Sequence, residues 1–265
     1  MEYNKVLRDM DYTGRNVLIT GAASGSGAGI AMRFAEAGAN VAFTYNHNED
    51  AAKDRAEAFS AFGGKVKAYH LDQRDAESVE KVLNEVKQDF GTIDVLVNNA
   101  GIYPAESLLD ISPKDWDEMM EVNARGVFFA CQAAAKIMKE QETGGSIVNI
   151  SSINASLPND MIVHYGASKS AVEFLTKGMA HDWGKYGIRV NCIAPGLINA
   201  ESIEERIPNW VSSYRERAPL GRLVEPEDLG NTALFLGSPL ASCITGQIIT
   251  VDGGVLLAPA FDLSL

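Results

Sequence analysis

Residues 16–36 read Asn16-Val17-Leu18-Ile19-Thr20-Gly21-Ala22-Ala23-Ser24-Gly25-Ser26-Gly27-Ala28-Gly29-Ile30-Ala31-Met32-Arg33-Phe34-Ala35-Glu36. A short apolar run, Asn16 to Thr20, has the character of a buried strand. It breaks into a turn carrying Gly21, Gly25 and Gly27, then resumes as an amphipathic helix to Glu36. A glycine-rich strand-to-helix turn lets the backbone approach a pyrophosphate. The helix N-terminus adds free N–H groups and the positive end of a dipole. The spacing Gly-x-x-x-Gly-x-Gly differs from the Gly-x-Gly-x-x-Gly of many dinucleotide-binding turns, but its physics is the same. A turn that holds no ligand is the alternative for this stretch alone, and its position after the first strand favours the cofactor.

The same strand–helix plan repeats outward from there. Strands are predicted over Val41 to Thr44, Lys65 to His70, Ile93 to Val97, Ser146 to Ile150, Ile188 to Ile193 and Gln247 to Val251. Helices are predicted over Glu49 to Phe62, Asp75 to Phe90, a long stretch from Ser112 to Glu140, one ending near Tyr186, and Glu225 to Leu236. Gly63-Gly64 and Gly91 follow two of these helices as C-terminal stops. Regular alternation predicts an α/β fold with a parallel sheet, helices on both faces and right-handed crossovers. The organisation expected is an N-terminal arm over 1–13, one Rossmann-like doubly wound domain over 14–254, and an apolar tail over 255–265. Within the domain, residues 197–220 change character and suit a substrate lid at the binding edge of the sheet. The tail reads either as a surface flap or as a subunit contact.

Composition narrows the function. The chain has 265 residues, 46% of them hydrophobic and 22% charged, ordinary for one soluble globular domain. A net charge of −12 argues against nucleic acid or an anionic membrane as partner, since both need a basic face. Cys131, Cys192 and Cys243 have no metal-ligand spacing, and an odd number fits a reducing compartment. Neither a membrane-length apolar run nor an apolar signal core is present in the sequence. A cytoplasmic protein without a metal is expected.

The chemistry is carried by the stretch that follows the Ser146 to Ile150 strand. Ser151-Ser152 opens it, and Tyr165-Gly166-Ala167-Ser168-Lys169 closes it inside a helix. Tyr165 and Lys169 are four apart and share one helix face, where an ammonium lowers the pKa of a phenol. Ser152, at a strand end, can bind the same substrate oxygen. Tyr-x-x-x-Lys alone also arises by chance as a surface pair, so the rest of the chain carries the weight.

The second strand ends in Tyr45-Asn46-His47, where an acid would bind a ribose 2′-hydroxyl and favour NAD. No carboxylate stands there to repel a 2′-phosphate, and Asn46 and His47 can donate to one. NADP is therefore the preferred cofactor and NAD the alternative; the bland reading makes Asn46 and His47 turn residues. Asp72-Gln73 after the third strand and Asn98-Asn99-Ala100-Gly101 after the fourth sit at the edge where open α/β sheets bind ligands. A structural turn is the equal alternative for the paired asparagines.

In this order and spacing, residues 14–254 resemble the short-chain dehydrogenase/reductase family. Thr20, Gly21, Gly25 and Gly27 match its cofactor turn, where Ser24 and Ser26 also lie. Asp72 matches its adenine contact, Asn98 to Gly101 its Asn-Asn-Ala-Gly, and Pro195-Gly196, with Ile198 beyond, its nicotinamide-side turn. Asn123, Ser152, Tyr165 and Lys169 match its catalytic tetrad. The resemblance implies a parallel seven-stranded sheet, commonly a homotetramer or homodimer, and NAD(P)-linked interconversion of a carbonyl and a secondary alcohol. It also implies that Lys169 binds the nicotinamide ribose and that Asn123 positions a water. Three departures stand out. Ser26 replaces an Ile or Leu, Asn199 replaces a threonine, and no basic residue marks either usual NADP position. Members that end the second strand in Tyr often use NADP.

The partner expected is a small molecule. Asn154, Asn159, His164 and the charged lid favour a sugar, polyol or keto acid. Tyr103, Met161, Ile162, Leu197 and Trp210 equally suit a steroid or 3-oxoacyl substrate. A catalytically silent nucleotide-binding regulatory protein is the reading from another class, and the intact tetrad speaks against it.

Overall fold

The apolar runs pair as β1 (Asn16–Ile19), β2 (Asn40–Tyr45), β3 (Val66–His70), β4 (Val95–Asn98), β5 (Gly145–Ile150), β6 (Ile188–Pro195) and β7 (Ile248–Val251). They form one parallel sheet in the order β3-β2-β1-β4-β5-β6-β7. This is a computed structural model, and it describes residues 8–200 and 202–257. The expected α/β, Rossmann-like doubly wound architecture is present. Strand β4 is buried along its whole length, as a parallel strand covered on both faces must be.

Helices α1 (Gly25–Glu36), α2 (Glu49–Ser60), α3 (Ala76–Phe90), α4 (Pro113–Met120), α5 (Val127–Lys139), α6 (Val163–Trp183), α7 (Ile203–Arg206), α8 (Pro208–Arg217) and α9 (Pro226–Gly237) complete the fold. One core lies under α1, α2 and α9, with Ile30, Phe34, Phe43, Phe59 and Leu229 buried. The other lies under α3, α5 and α6, with Leu83, Met138, Ile147, Val172 and Val190. The strand order reverses between β1 and β4. That switch point opens a crevice at the carboxyl ends of the strands, the place where such sheets take ligands.

The long helical region predicted over 112–140 is present and runs through α4, a π-helical turn at Glu121–Gly126, and α5. Hydrophobic periodicity continues through the turn, which is why the sequence hides it. The extra residue turns Asn123 inward. The arm predicted over 1–13 gives way earlier than expected. Tyr12 is fully buried, packs edge-on to Phe34 with ring centroids 5.1 Å apart, and donates its hydroxyl to the Leu234 carbonyl at 2.6 Å. The remainder of the arm, residues 1–7, and the tail after Leu257 lie outside the described residues. No helix of the described residues is long and apolar enough to cross a membrane.

Candidate active site

The glycine turn is built for close approach. Gly21 and Gly25 have φ of +67° and +56°, the left-handed region. A Cβ on Gly27 would lie 2.3 Å from the Gly21 carbonyl oxygen and 2.5 Å from Asn99 Nδ2, so no side chain fits. Ser24 caps α1 without using its side chain, and the first turn holds no acid. Free N–H groups and a bare backbone fit a diphosphate. The turn is stitched to the loop after β4. Thr20 Oγ1 accepts the N–H groups of Asn99 and Ala100, each at 3.0 Å. Asn99 Nδ2 donates to the carbonyls of Thr20 and Gly21 at 3.1 and 3.0 Å, and Ser26 Oγ donates to Asn99 Oδ1 at 2.8 Å. The side chains expected on the cofactor from Asn99 and Ser26 are thus joined to one another.

At the end of β5, four further side chains converge. Ser152 caps a short 3₁₀ turn, Ile153–Ala155, and α6 begins at Val163. Tyr165 lies in the first turn of α6 and Lys169 one turn on. The Lys169 ammonium is buried, donates to the Ile150 carbonyl at 2.9 Å, and stands 5.6 Å from the Tyr165 ring centroid. The Ser152 hydroxyl faces the phenol. Asn123 enters from the π-helical turn. Its Oδ1 accepts from Ile102 N–H at 2.9 Å, and its Nδ2 donates to the Ile102 carbonyl at 2.8 Å. Gly101 forms the floor between them: a Cβ there would lie 3.1 Å from Asn123 Oδ1 and 3.4 Å from Lys169 Nζ.

Alongside this geometry, the family model described as Enoyl-(Acyl carrier protein) reductase matches residues 21–256. The chain belongs to the short-chain dehydrogenase/reductase family. It is an NAD(P)-dependent oxidoreductase acting on alcohol and carbonyl groups. The L-rhamnose 1-dehydrogenase (NAD(P)(+)) of Azotobacter vinelandii is 38% identical over 248 residues, 92% of this chain and 97% of that protein. The 3beta-hydroxysteroid dehydrogenase 1 of Eggerthella lenta is 35% identical over 253 residues, 95% and 97% of the two chains. The crystal structure of a short-chain type dehydrogenase/reductase from Mycobacterium marinum superposes with a TM-score of 0.87 at 35% identity, covering 94% of this chain and 98% of that one.

The electrostatics of this dehydrogenase/reductase differ from expectation. Burial pushes the Tyr165 phenol up to about 12, with the Ser152 hydroxyl opposing the shift. Burial also brings Lys169 down to about 8. Desolvation outweighs the lowering of the phenol expected from the lysine, because the ammonium is turned toward the Ile150 carbonyl.

Other predicted residues spread over the edge of the crevice. Tyr45 packs edge-on to His70, with Asn46 half-buried and His47 exposed beyond it. Asp72 pairs with the Arg74 guanidinium at 2.6 Å, which holds its carboxyl below the usual range. Gln73, placed on the cofactor by its position, is buried instead, and its Nε2 donates to the Val122 carbonyl at 3.0 Å. It braces the π-helical turn. Pro195 ends β6, Gly196 follows, and Ile198 pairs with Val224. Asn199 donates to the Glu225 carboxylate at 3.0 Å.

On the substrate side, Asn154 and His164 sit in defined surroundings of the protein's own. Asn154 donates its Nδ2 to the Leu157 carbonyl at 3.1 Å, and its Oδ1 accepts from Ser152. It supports the Ser152 loop. His164 is 1% exposed in the first turn of α6, near Asp115, and both its ring nitrogens are without a hydrogen-bond partner among the described residues. Leu197 packs against the lid cluster of Ile153, Ile203 and Val211, and Trp210 stands 42% exposed on α8. Tyr103 gains importance: it is 58% exposed, with its ring 6.3 Å from that of Tyr165. Its place just after Asn98 to Gly101 is the signal in the sequence that points to it.

Proposed function

We propose that Tyr165 is the general acid and base of the reaction and that Ser152 holds the reacting oxygen. The observation that carries this is the meeting of Ser152, Tyr165, Lys169 and Asn123 at the carboxyl edge of β5, beside the glycine turn. In the reducing direction Ser152 and Tyr165 both donate hydrogen bonds to the carbonyl oxygen, and the Tyr165 hydroxyl passes its proton to that oxygen. The nicotinamide supplies or takes up the hydride. In the oxidising direction the phenolate takes the alcohol proton. Orienting one oxygen between two fixed donors is the protein's main contribution. Gly21, Ser24, Gly25 and Gly27 would hold the diphosphate, Asp72 the adenine end, Ala100 and Gly101 the central edge, and Lys169 the ribose near the chemistry. Pro195, Gly196 and Ile198 would bound the nicotinamide side.

The cofactor of this reading is NADP. Tyr45 at the end of β2 brings no negative charge, and the exposed His47 offers a donor to a 2′-phosphate. The substrate is a sugar, polyol or keto acid, supported by the likeness to a rhamnose dehydrogenase. A specific observation favours a second reading, a steroid or 3-oxoacyl compound. Tyr103, Met161 and Trp210 are exposed apolar side chains, while Asn154 is bonded to the Leu157 carbonyl and His164 is buried. The protein is read as a cytoplasmic homotetramer or homodimer.

Nicotinamide absorbance with NADPH and NADH, against ketoses, keto acids, β-ketoacyl esters and ketosteroids, tests the reaction, the cofactor and the substrate class. Tyr165→Phe should lose turnover at least about 1,000-fold while cofactor binding changes little. An active Tyr165→Phe variant overturns the assignment.

A further inference from the structure

Tyr214 lies on α8, the longer helix of the segment read as the lid. Its hydroxyl donates to the Asp252 carbonyl at 2.5 Å, and the Leu197 N–H faces the same oxygen. Asp252 follows β7 and Leu197 follows β6. One buried phenol therefore bridges the carboxyl ends of two strands. Its ring also belongs to the apolar cluster that includes Ile153, the neighbour of Ser152.

Gly196 completes the relationship. A Cβ there would lie 1.8 Å from the Tyr214 oxygen and 2.8 Å from its Cζ. Gly196 is not among the glycines with positive φ, so its backbone conformation is open to other residues. The missing side chain, not a special backbone, is what this position supplies. Nothing about a phosphate or a nicotinamide is needed to explain it; the phenol fills the space.

We propose that Tyr214 is a positioning residue whose phenol registers the lid helix on the Gly196 turn, and that Gly196 lacks a side chain in order to receive it. This rests on residues 197–220 being the substrate lid. The lid helix is then held in one register over both the Ser152 loop and the turn after β6. Burial keeps the phenol protonated, pushed up to about 12, so the bond to Asp252 persists at working pH.

Three variants of the full protein test it: Tyr214→Phe, Gly196→Ala, and Gly196→Ala combined with Tyr214→Leu. Tyr214→Phe keeps the ring and loses the bonds. Trypsin cleavage at the lid arginines, Arg206, Arg215 and Arg217, should become about fivefold faster, while the melting temperature falls only slightly. Substrate KM should rise about threefold to tenfold with kcat less affected. Gly196→Ala should open the lid likewise, and Tyr214→Leu should partly restore it by removing the clash. Unchanged cleavage in Tyr214→Phe, or a double variant no better than Gly196→Ala, overturns the proposal. Faster cleavage and rescue with unaltered KM and kcat support the latch and overturn the lid assignment instead.

Discussion

Ser26 Oγ donates to Asn99 Oδ1 at 2.8 Å, tying the glycine turn to the loop after β4. The family resemblance leads one to expect an aliphatic residue between the last two glycines; here the Ser26 hydroxyl forms a polar latch instead. Asn99 is the hub, since its Nδ2 also serves the carbonyls of Thr20 and Gly21. Ser26→Ala should weaken cofactor binding about threefold, the effect of one lost hydrogen bond. Asn99→Ala leaves several buried groups without partners and should destabilise by about 2–3 kcal/mol, with cofactor affinity falling more than about tenfold. Calorimetric titration with NADPH beside thermal melts checks both; wild-type affinity in Asn99→Ala would remove the latch from the binding site.

The two shifted groups predict opposite pH behaviour for the two directions. With the phenol at about 12, Tyr165 is protonated at every working pH and ready to donate. Reduction should therefore be flat at low pH and decline above about 8, where Lys169 loses its charge. Oxidation needs the phenolate, whose fraction grows about tenfold per pH unit below 12, so its rate should climb with pH. Initial rates from pH 6 to 10 in both directions decide it. Parallel profiles would show that neither group limits the reaction.

Lys169 also costs stability. Its value falls from 10.5 to about 8 on folding, so between those values the unfolded chain binds more protons. Stability should then rise as pH climbs from 8 toward 10.5, and the cost is fully present below 8. Lys169→Met should melt higher than the parent protein at pH 7, by about 1–3 kcal/mol less the lost bond to Ile150, while turnover disappears. Calorimetric melts at pH 7 and 9 compare them. A variant less stable than its parent at pH 7 would show that the Ile150 bond outweighs desolvation.

Tyr45 stands where an acid would select NAD. Tyr45→Asp places a negative charge beside the 2′-position and should lower the NADPH/NADH ratio of kcat/KM at least about tenfold. If the ratio stays put, selectivity resides elsewhere along the β2 end.

Gly126 closes the π-helical turn against Gln73. A Cβ there would lie 2.4 Å from Gln73 Cγ and 2.6 Å from its backbone oxygen, and the backbone cannot yield. Gly126→Ala should destabilise by about 2–3 kcal/mol and displace Asn123, three residues earlier. Urea melts measure the first and kcat the second; an unperturbed variant would mean that the turn can shift as a unit.

The sheet was legible because its information is local. β1, β4 and β5 are short apolar runs bounded by turns, and their alternation with amphipathic helices leaves few topologies. A spacing of four put Tyr165 and Lys169 on one helix face and a strand end carried Ser152, but that spacing alone also arises by chance. The tetrad candidates were legible through the family resemblance. The π-helical turn was not, since one added residue leaves the apolar pattern of 112–140 intact. Tyr12 was missed because a lone tyrosine among polar neighbours carries no period.

What the sequence by itself determined about this protein is the fold, written in periodicity, and the family, carried by the order and spacing of the motifs that resemble it; the same resemblance named the candidate reacting groups. Only the tertiary structure decided which polar side chains are free. Asn154, Gln73 and Asn99 carry the donors a ligand site needs, yet each is bonded to backbone far away in sequence or across a tight turn. His164 is sealed beneath the surface, and a Cβ on Gly196 would lie 1.8 Å from the Tyr214 oxygen. A residue's capacity to bind belongs to its type, but its availability depends on desolvation and on partners that only folding brings within reach.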